Sequence, residues 1–216
     1  FPQSRKKIGA WAFAGCKKFT KISIGQNLGS IGEGAFADCN GVKEITVSGK
    51  NKKYDSRNKC NAIIYSKKNE LLFGCNNTVI PKGIKKIHDN AFSKCDKLKN
   101  ITIPASVESI GKQVFTDCSG IEKITVAKEN KVYTSLNGSN AIVKKSTGDL
   151  IVGCKNTVIK TGIKSIGDYA FYGCTKLKKM ILPNGITKIG VNAFVGCENL
   201  NIVIPASVKC IGFVKE

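Results

Sequence analysis

The chain is poor in the side chains that most often carry chemistry. It has one histidine, one tryptophan and one methionine. A lone imidazole, His88, leaves no histidine pair for a metal site or a proton relay. Acidic residues number 15 against 35 basic ones, a formal charge of +20. Arginine is scarcer still, at Arg5 and Arg57 only. Lysine is a hydrated point charge, whereas base-edge and phosphate recognition draw on the planar guanidinium fork, so this charge attracts polyanions without choosing among them. No apolar run approaches the roughly 18 residues of a membrane span. Phe1-Pro2-Gln3-Ser4-Arg5-Lys6-Lys7 lacks the apolar h-region of a signal peptide, so an export signal is expected outside this sequence. Clustered Cys-x-x-Cys spacing is absent, and with it the usual zinc framework.

What the chain does have is self-similarity. Ile8-Gly9-Ala10-Trp11-Ala12-Phe13-Ala14-Gly15-Cys16 returns as Ile31 to Cys39, Ile87 to Cys95, Ile110 to Cys118, Ile166 to Cys174 and Ile189 to Cys197. The start-to-start spacings alternate between 23 and 56 residues, so the long units are the short repeat with an insertion. Three positions after each cysteine stands an apolar residue, and then a β-prone stretch such as Lys21-Ile22-Ser23-Ile24. Period-two alternation there turns the isoleucines inward and Lys21 and Ser23 outward. Apolar residues make up 42% of the chain, enough to fill a core along such an array. The inserted pieces match 79 residues apart: Asn51-Lys52-Lys53-Tyr54 with Asn130-Lys131-Val132-Tyr133, and Leu71 to Cys75 with Leu150 to Cys154. Two apolar runs separated by Lys67-Lys68-Asn69-Glu70, or by Ser146-Thr147-Gly148-Asp149, predict β-hairpins at about 51–75 and 130–154. The segment Ala-Phe-x-x-Cys predicts one helical turn with Phe and Cys inward. The expected fold is a single leucine-rich-repeat-like solenoid over 1–216, mainly β with short helical turns and two inserted hairpins. Phe1 to Ser4 matches Ile103 to Ser106, and Ile211-Gly212-Phe213 opens a further repeat, so the chain reads as part of a longer array.

Ile-Gly-x-x-Ala-Phe-x-x-Cys-x-x-Leu-x-x-Ile-x-Ile-Pro, with hairpin-bearing long repeats, resembles the BspA-like leucine-rich repeat proteins over essentially the whole chain. The resemblance implies a curved or twisted solenoid, on a cell surface or secreted, working as an adhesin towards host matrix proteins or neighbouring cells. It brings no catalytic residues with it. The chain departs from the pattern at Cys197-Glu198-Asn199-Leu200-Asn201-Ile202, one residue short before its strand, and at Arg5, where the repeat wants an apolar residue such as Val107.

Ten cysteines sit mostly in register, six at one repeat position, with Cys75 and Cys154 at another. If strands pair directly, such a column spaces thiols about 4.8 Å apart per rung. Two readings follow, a ladder of buried reduced thiols acting as small apolar fillers, or disulfides between neighbouring rungs such as Cys16 with Cys39. Cys60 and Cys210 fall outside the register and are expected to be accessible; Cys60 could also pair with Cys75. His88 replaces the glycine of the repeated phrase and reads as a surface substitution. No cofactor and no metal site is expected, and the chain does not read as an enzyme.

The candidate binding surface is the outward strand face: Lys21, Ser23, Asn100, Thr102, Lys123, Thr125 and Lys179, flanked by Lys43, Lys99 and Lys178. Lysines and hydroxyls there suit a host extracellular-matrix protein, another surface protein or an acidic glycan. The hairpin aromatics Tyr54, Tyr65, Phe73 and Tyr133 form a second candidate, as protruding hot spots or as pins holding the hairpins down. Asn76, Asn100 and Asn137 lie in Asn-x-Ser/Thr sequons. Three functions compete: a monomeric adhesion module, a spacer that carries other domains, and a non-specific polyanion binder. Nucleic acid ranks last among the partners, because arginines and interleaved aromatic platforms are missing.

Overall fold

A computed structural model describes residues 6–212. The expectations for Arg5, for the Phe1–Ser4 match and for Phe213 lie outside the described residues. The first strands are β1 (Lys7–Ile8), β2 (Lys21–Ile24), β3 (Ser30–Ile31), β4 (Glu44–Val47), β5 (Tyr54–Asp55) and β6 (Ala62–Tyr65). Then come β7 (Glu70–Gly74), β8 (Lys86–Ile87), β9 (Asn100–Ile103), β10 (Ser109–Ile110), β11 (Lys123–Val126) and β12 (Tyr133–Thr134). The last are β13 (Ile142–Lys144), β14 (Asp149–Val152), β15 (Ser165–Ile166), β16 (Lys179–Ile181), β17 (Lys188–Ile189), β18 (Asn201–Val203) and β19 (Cys210–Ile211). The fold is a β-solenoid of the leucine-rich-repeat type, and it divides into two compact units.

In the first unit (Phe1–Leu98 with Ser106–Phe115) β2 pairs with β4 in parallel, Lys21 opposite Glu44 and Ser23 opposite Thr46. The burial pattern of β2 alternates, with Ile22 and Ile24 inside and Lys21 and Ser23 outside. On the other side of the coil a five-stranded sheet runs β10-β8-β7-β6-β5. Within it β5, β6 and β7 are antiparallel, and β7 passes to β8 in parallel. These strands do not protrude: Ala62, Ile63, Ile64, Leu71 and Phe73 are all buried. Ile22, Phe36, Val42, Ile45 and Ile63 centre the core.

The second unit (Lys99–Ala105 with Thr116–Glu216) repeats the plan. β9 pairs with β11 and β16 with β18, both in parallel, and a six-stranded sheet runs β12-β13-β14-β15-β17-β19. Its core gathers Leu150, Ile166, Phe171, Leu177, Met180 and Ile186. Each such side chain, fully buried, contributes about 1.5–3 kcal/mol. The missing residue after Cys197 is absorbed before the strand: Lys179 pairs with Asn201 and Ile181 with Val203, so register is kept from there onward.

The expected helical turn is not there. Ala-Phe-x-x-Cys forms stacked turns, because two residues in each copy take the left-handed region. At the first position Trp11, Gly34, Asn90, Gln113, Tyr169 and Asn192 have φ between 53° and 59°. At the second, Gly15, Asp38, Lys94, Asp117, Gly173 and Gly196 have φ between 57° and 76°. A right-handed helix cannot continue through such residues, and outside glycine each costs about 1–2 kcal/mol. Bonds between rungs offset that cost: Phe13 N–H donates to Ala35 O (2.8 Å), Phe92 N–H to Val114 O (3.0 Å) and Phe171 N–H to Ala193 O (2.8 Å). The phenylalanines stack in consequence, Phe92 on Phe115 with centroids 5.1 Å apart and Phe171 on Phe194 at 5.2 Å. Helix is confined to single 3-10 turns at Arg57–Lys59 and Leu136–Gly138 among the described residues.

The long repeats also end the strand face. Where the next strand would pair with β4, side chains take its place. Ile45 N–H donates to Asn61 Oδ1 (3.2 Å), Ser56 Oγ–H donates to Ile45 O (3.3 Å), and Asn77 Nδ2–H donates to Lys43 O (3.0 Å). Asn140, Ser135 and Asn156 do the same for β11, at Ile124 N–H, Ile124 O and Glu122 O. The exposed edges of β4 and β11 are therefore closed by amides and hydroxyls rather than left open to strand addition.

Candidate functional site

Of the outward strand residues, Lys21, Ser23, Lys43, Asn100, Thr102, Lys99, Lys123, Lys178 and Lys179 are exposed, and Thr125 is half-buried. They do not form one sheet: β2–β4, β9–β11 and β16–β18 are separate two-stranded ladders. Their electrostatics differ as well. In the first unit Lys21 Nζ lies 2.9 Å from Glu44 Oε1, directly across the strand pair, and Thr46 Oγ1–H donates to Ser23 Oγ (3.2 Å). That ladder satisfies itself. In the second unit Lys123 stands opposite Asn100, and Lys179 opposite Asn201. Among the described residues none of Lys99, Lys123, Lys178 and Lys179 has an acid within ion-pair distance. Glu122, the sequence neighbour of Lys123, is held by Lys155 at 2.9 Å, whose hydrogen bond keeps the carboxyl below its usual range, with Lys99 and Lys176 adding to the pull. Lys123, Lys178 and Lys179 of the second unit are thus unpaired cations, whereas Lys21 of the first is paired.

The aromatic candidates are not exposed hot spots. Tyr54, Phe73 and Tyr133 are buried, and Tyr65 is half-buried. Tyr54 is a pin: its hydroxyl accepts a hydrogen bond from Ile31 N–H (3.0 Å), covering the edge of β3, and its ring packs on Tyr65. Phe73 packs on Phe36. The polar flanks of β6 and β7 suggest a solvent-facing hairpin; the apolar faces of these strands instead complete the core.

Cys60, expected to be accessible, is one of eight buried cysteines; only Cys16 and Cys210 are partly open. All ten are free thiols. The Cys60 position is interior in both insertions, and Ser139, its counterpart, leaves a buried hydroxyl with no partner. Burial pushes the Cys39 thiol from the ordinary 9.0 up to about 11, and the Cys174 thiol up to about 12, the latter also feeling Cys197 and Cys154. The folded state therefore favours the neutral thiols. Their stabilisation is complete below pH 9.0 and drains as pH climbs through about 11 to 12. At pH 8 a thiol reagent such as DTNB should titrate Cys16 and Cys210 in the folded protein and the remaining eight only in guanidinium. Rapid reaction of all ten in the folded state would contradict this burial.

His88 Nε2 lies 2.9 Å from Glu70 Oε2, a cross-strand contact, in a cleft of about 370 Å³ whose walls include Phe36, Ile63, Phe73, Glu33 and Asp89. Asp89 Oδ1 is occupied by Lys112 N–H (3.0 Å). Among the described residues no group of histidine, cysteine and carboxylate side chains is placed to hold a metal, and no helix is long and apolar enough to cross a membrane. Of the sequon asparagines, Asn100 and Asn137 are exposed, while Asn76 bridges Asn40 O and Lys97 N–H.

The structure adds apolar residues at the outward strand position. Val79 in the first unit, and Val158, Ile181 and Val203 in the second, take the repeat position of Thr102 and Thr125, and all four are well exposed. The signal lay in Asn77-Thr78-Val79-Ile80-Pro81, which matches Asn100 to Pro104 when the outward column is followed through the long repeats.

A family model for the BspA type leucine rich repeat region matches the chain in 6 copies, over residues 1–67, 64–137 and 151–213. The chain belongs to the BspA-type leucine-rich repeat family. Solved structures share the fold of this BspA-type chain. A leucine rich cell surface protein from Faecalibacterium prausnitzii A2-165 is 24% identical, with a TM-score of 0.61 over 100% of this chain and 53% of that one. A leucine-rich repeat protein from Eubacterium ventriosum ATCC 27560 is 23% identical, TM-score 0.55, over 98% and 62% of the two chains. The pneumococcal vaccine antigen PcpA is 20% identical, TM-score 0.53, over 96% and 50%. The chain therefore spans between half and two thirds of the length of these proteins. No curated protein sequence matches it.

Proposed function

We propose that this chain is a non-catalytic binding module, displayed on a cell surface or secreted, that works as an adhesin towards a host matrix protein, a neighbouring cell or an acidic glycan. The observation that carries the reading is the set of exposed lysines of the second unit: among the described residues Lys123, Lys178 and Lys179 have no acid within ion-pair distance, and Asn100 and Thr102 are exposed across the ladder from Lys123 and Thr125. The surface setting of the relative from Faecalibacterium prausnitzii agrees with it.

The test is binding of the purified protein to immobilised matrix proteins and sulfated glycans across a salt series. Saturable binding to one partner is expected to persist at about 0.3 M salt, where exposed long-range attraction is screened. Replacing Lys123, Lys178 and Lys179 together by Glu should weaken it about 100-fold or more, because like charges are brought against an acidic partner. Reversal of Lys21 should change it little, since its charge is already met by Glu44. Binding to every polyanion that collapses with salt would reduce the face to bulk charge, and no binding at all would make the array a spacer.

A further inference from the structure

Ile181 and Val203 are 71% and 76% exposed, and they are direct cross-strand partners in the β16–β18 ladder. The corresponding partners in β9–β11 are Thr102 and Thr125, so the fold does not require an aliphatic side chain there. Val158, at the same repeat position, is exposed too. Single exposed aliphatics need no explanation, but two that are paired in register, at a position where other rungs carry hydroxyls, make a patch. Lys178 and Lys179 border it, and Asn201 faces Lys179 across the ladder.

Resting on the binding reading above, we infer that the β16–β18 face docks an extended acidic segment of a protein partner, one that sets an apolar side chain on Ile181 and Val203. Charge complementarity fixes the sign of the segment, because among the described residues neither Lys178 nor Lys179 has an acid within ion-pair distance, and the residue across from Lys179 is the neutral Asn201. The aliphatic pair fixes its class. An acidic glycan has no aliphatic side chain to bury and stacks its sugar rings on aromatic residues, whereas Ile181 and Val203 are branched aliphatics. A peptide supplies both features on one strand: carboxylates for Lys178 and Lys179, and between them a Leu, Ile or Phe to desolvate the pair. An apolar centre inside a charged rim is the usual anatomy of a protein contact.

A random dodecapeptide phage library panned against the full chain tests this, with heparin as the glycan probe. The expected winners combine Asp or Glu with one large apolar residue. Their synthetic forms should lose about tenfold or more in affinity for I181T/V203T, the removal of two partly desolvated aliphatic groups, while heparin binding stays unchanged. Thr102 and Thr125 show that threonine suits these positions, and an unchanged melting curve for the double variant checks it. Selected peptides that bind I181T/V203T as tightly as the parent protein would overturn the apolar anchor and leave the lysine face intact. No peptide enrichment, with equal heparin binding by both proteins, would overturn the protein partner in favour of a glycan. If neither probe binds, the underlying binding reading falls as well.

Discussion

Phe171→Ala should destabilise the folded chain by about 3–5 kcal/mol, read as a shift in the midpoint of urea unfolding. The ring is buried to within 1% of its surface and stacks on Phe194 with an interplanar angle of 12°. Collapse around the void is blocked, because the backbone on both sides is tied to its neighbours. Gly153 N–H donates to Ala170 O and Phe171 N–H to Ala193 O, both at 2.8 Å. The same packing makes Gly153 obligatory, since a Cβ there would lie 2.0 Å from Phe171 Cε1. Gly153→Ala alone should therefore cost about 1–3 kcal/mol through overpacking. In the Phe171→Ala background its methyl enters the void, and the cost should vanish or change sign. A double-mutant cycle reads this coupling directly. Additive effects would mean that the ring and the glycine do not share the space the structure gives them. Gly74 and Phe92 hold the same relation in the first unit, where a Cβ on Gly74 would lie 2.2 Å from Phe92 Cε1.

Asn130→Ala should cost about 3 kcal/mol, an unusual loss for one polar residue. Asn130 is completely buried. Its Nδ2–H donates to Pro104 O (2.8 Å), and its Oδ1 accepts from Val132 N–H (2.9 Å) and Tyr133 N–H (2.7 Å). Removing the amide strands buried backbone groups where the chain turns into its insertion. Asn130→Asp keeps the two acceptor contacts but sets a carboxylate against the Pro104 carbonyl, and it should be no better tolerated. Faster hydrogen exchange at the Val132 and Tyr133 amides is the local readout; a variant with unchanged exchange and stability would show that the side chain is dispensable. Asn51 makes the matching bonds in the first unit, to Gly25 O, Lys53 N–H and Tyr54 N–H.

The coil was legible because its period is carried by residues with one job each. Ile22 and Ile24 face in, Phe36 and Cys39 fill the corner, and both elements recur at fixed spacing. The stacked turn was not legible as such. Trp11, Gln113, Tyr169 and Lys94 occupy left-handed positions without advertising it, and the glycines and asparagines that hint at the true conformation (Gly34, Asn90 and Asn192 at the first position, Gly15, Gly173 and Gly196 at the second) do not hold both positions in every copy. Tyr54, Phe73 and Cys60 are buried among partners that no local window contains: the Tyr54 hydroxyl meets Ile31 N–H, Phe73 packs on Phe36, and Cys60 O accepts from Val79 N–H. The binding face was half legible. Its lysines follow from alternation, yet their neutralisation by Glu44 or its absence depends on which strand lies opposite, and the apolar column appears only when the insertions are aligned with the short repeats.

The capped edges of β4 and β11 bear on how such an array can lengthen over evolutionary time. Asn61 and Ser56 arrive in the same 79-residue stretch of sequence as the strand pair they close, and Asn140 and Ser135 arrive with theirs. A gene duplication that copies that stretch delivers a ladder together with its own stopper. Each added cassette is then complete from its first generation, and the number of copies can drift without any ancestor having to survive with a sticky flank.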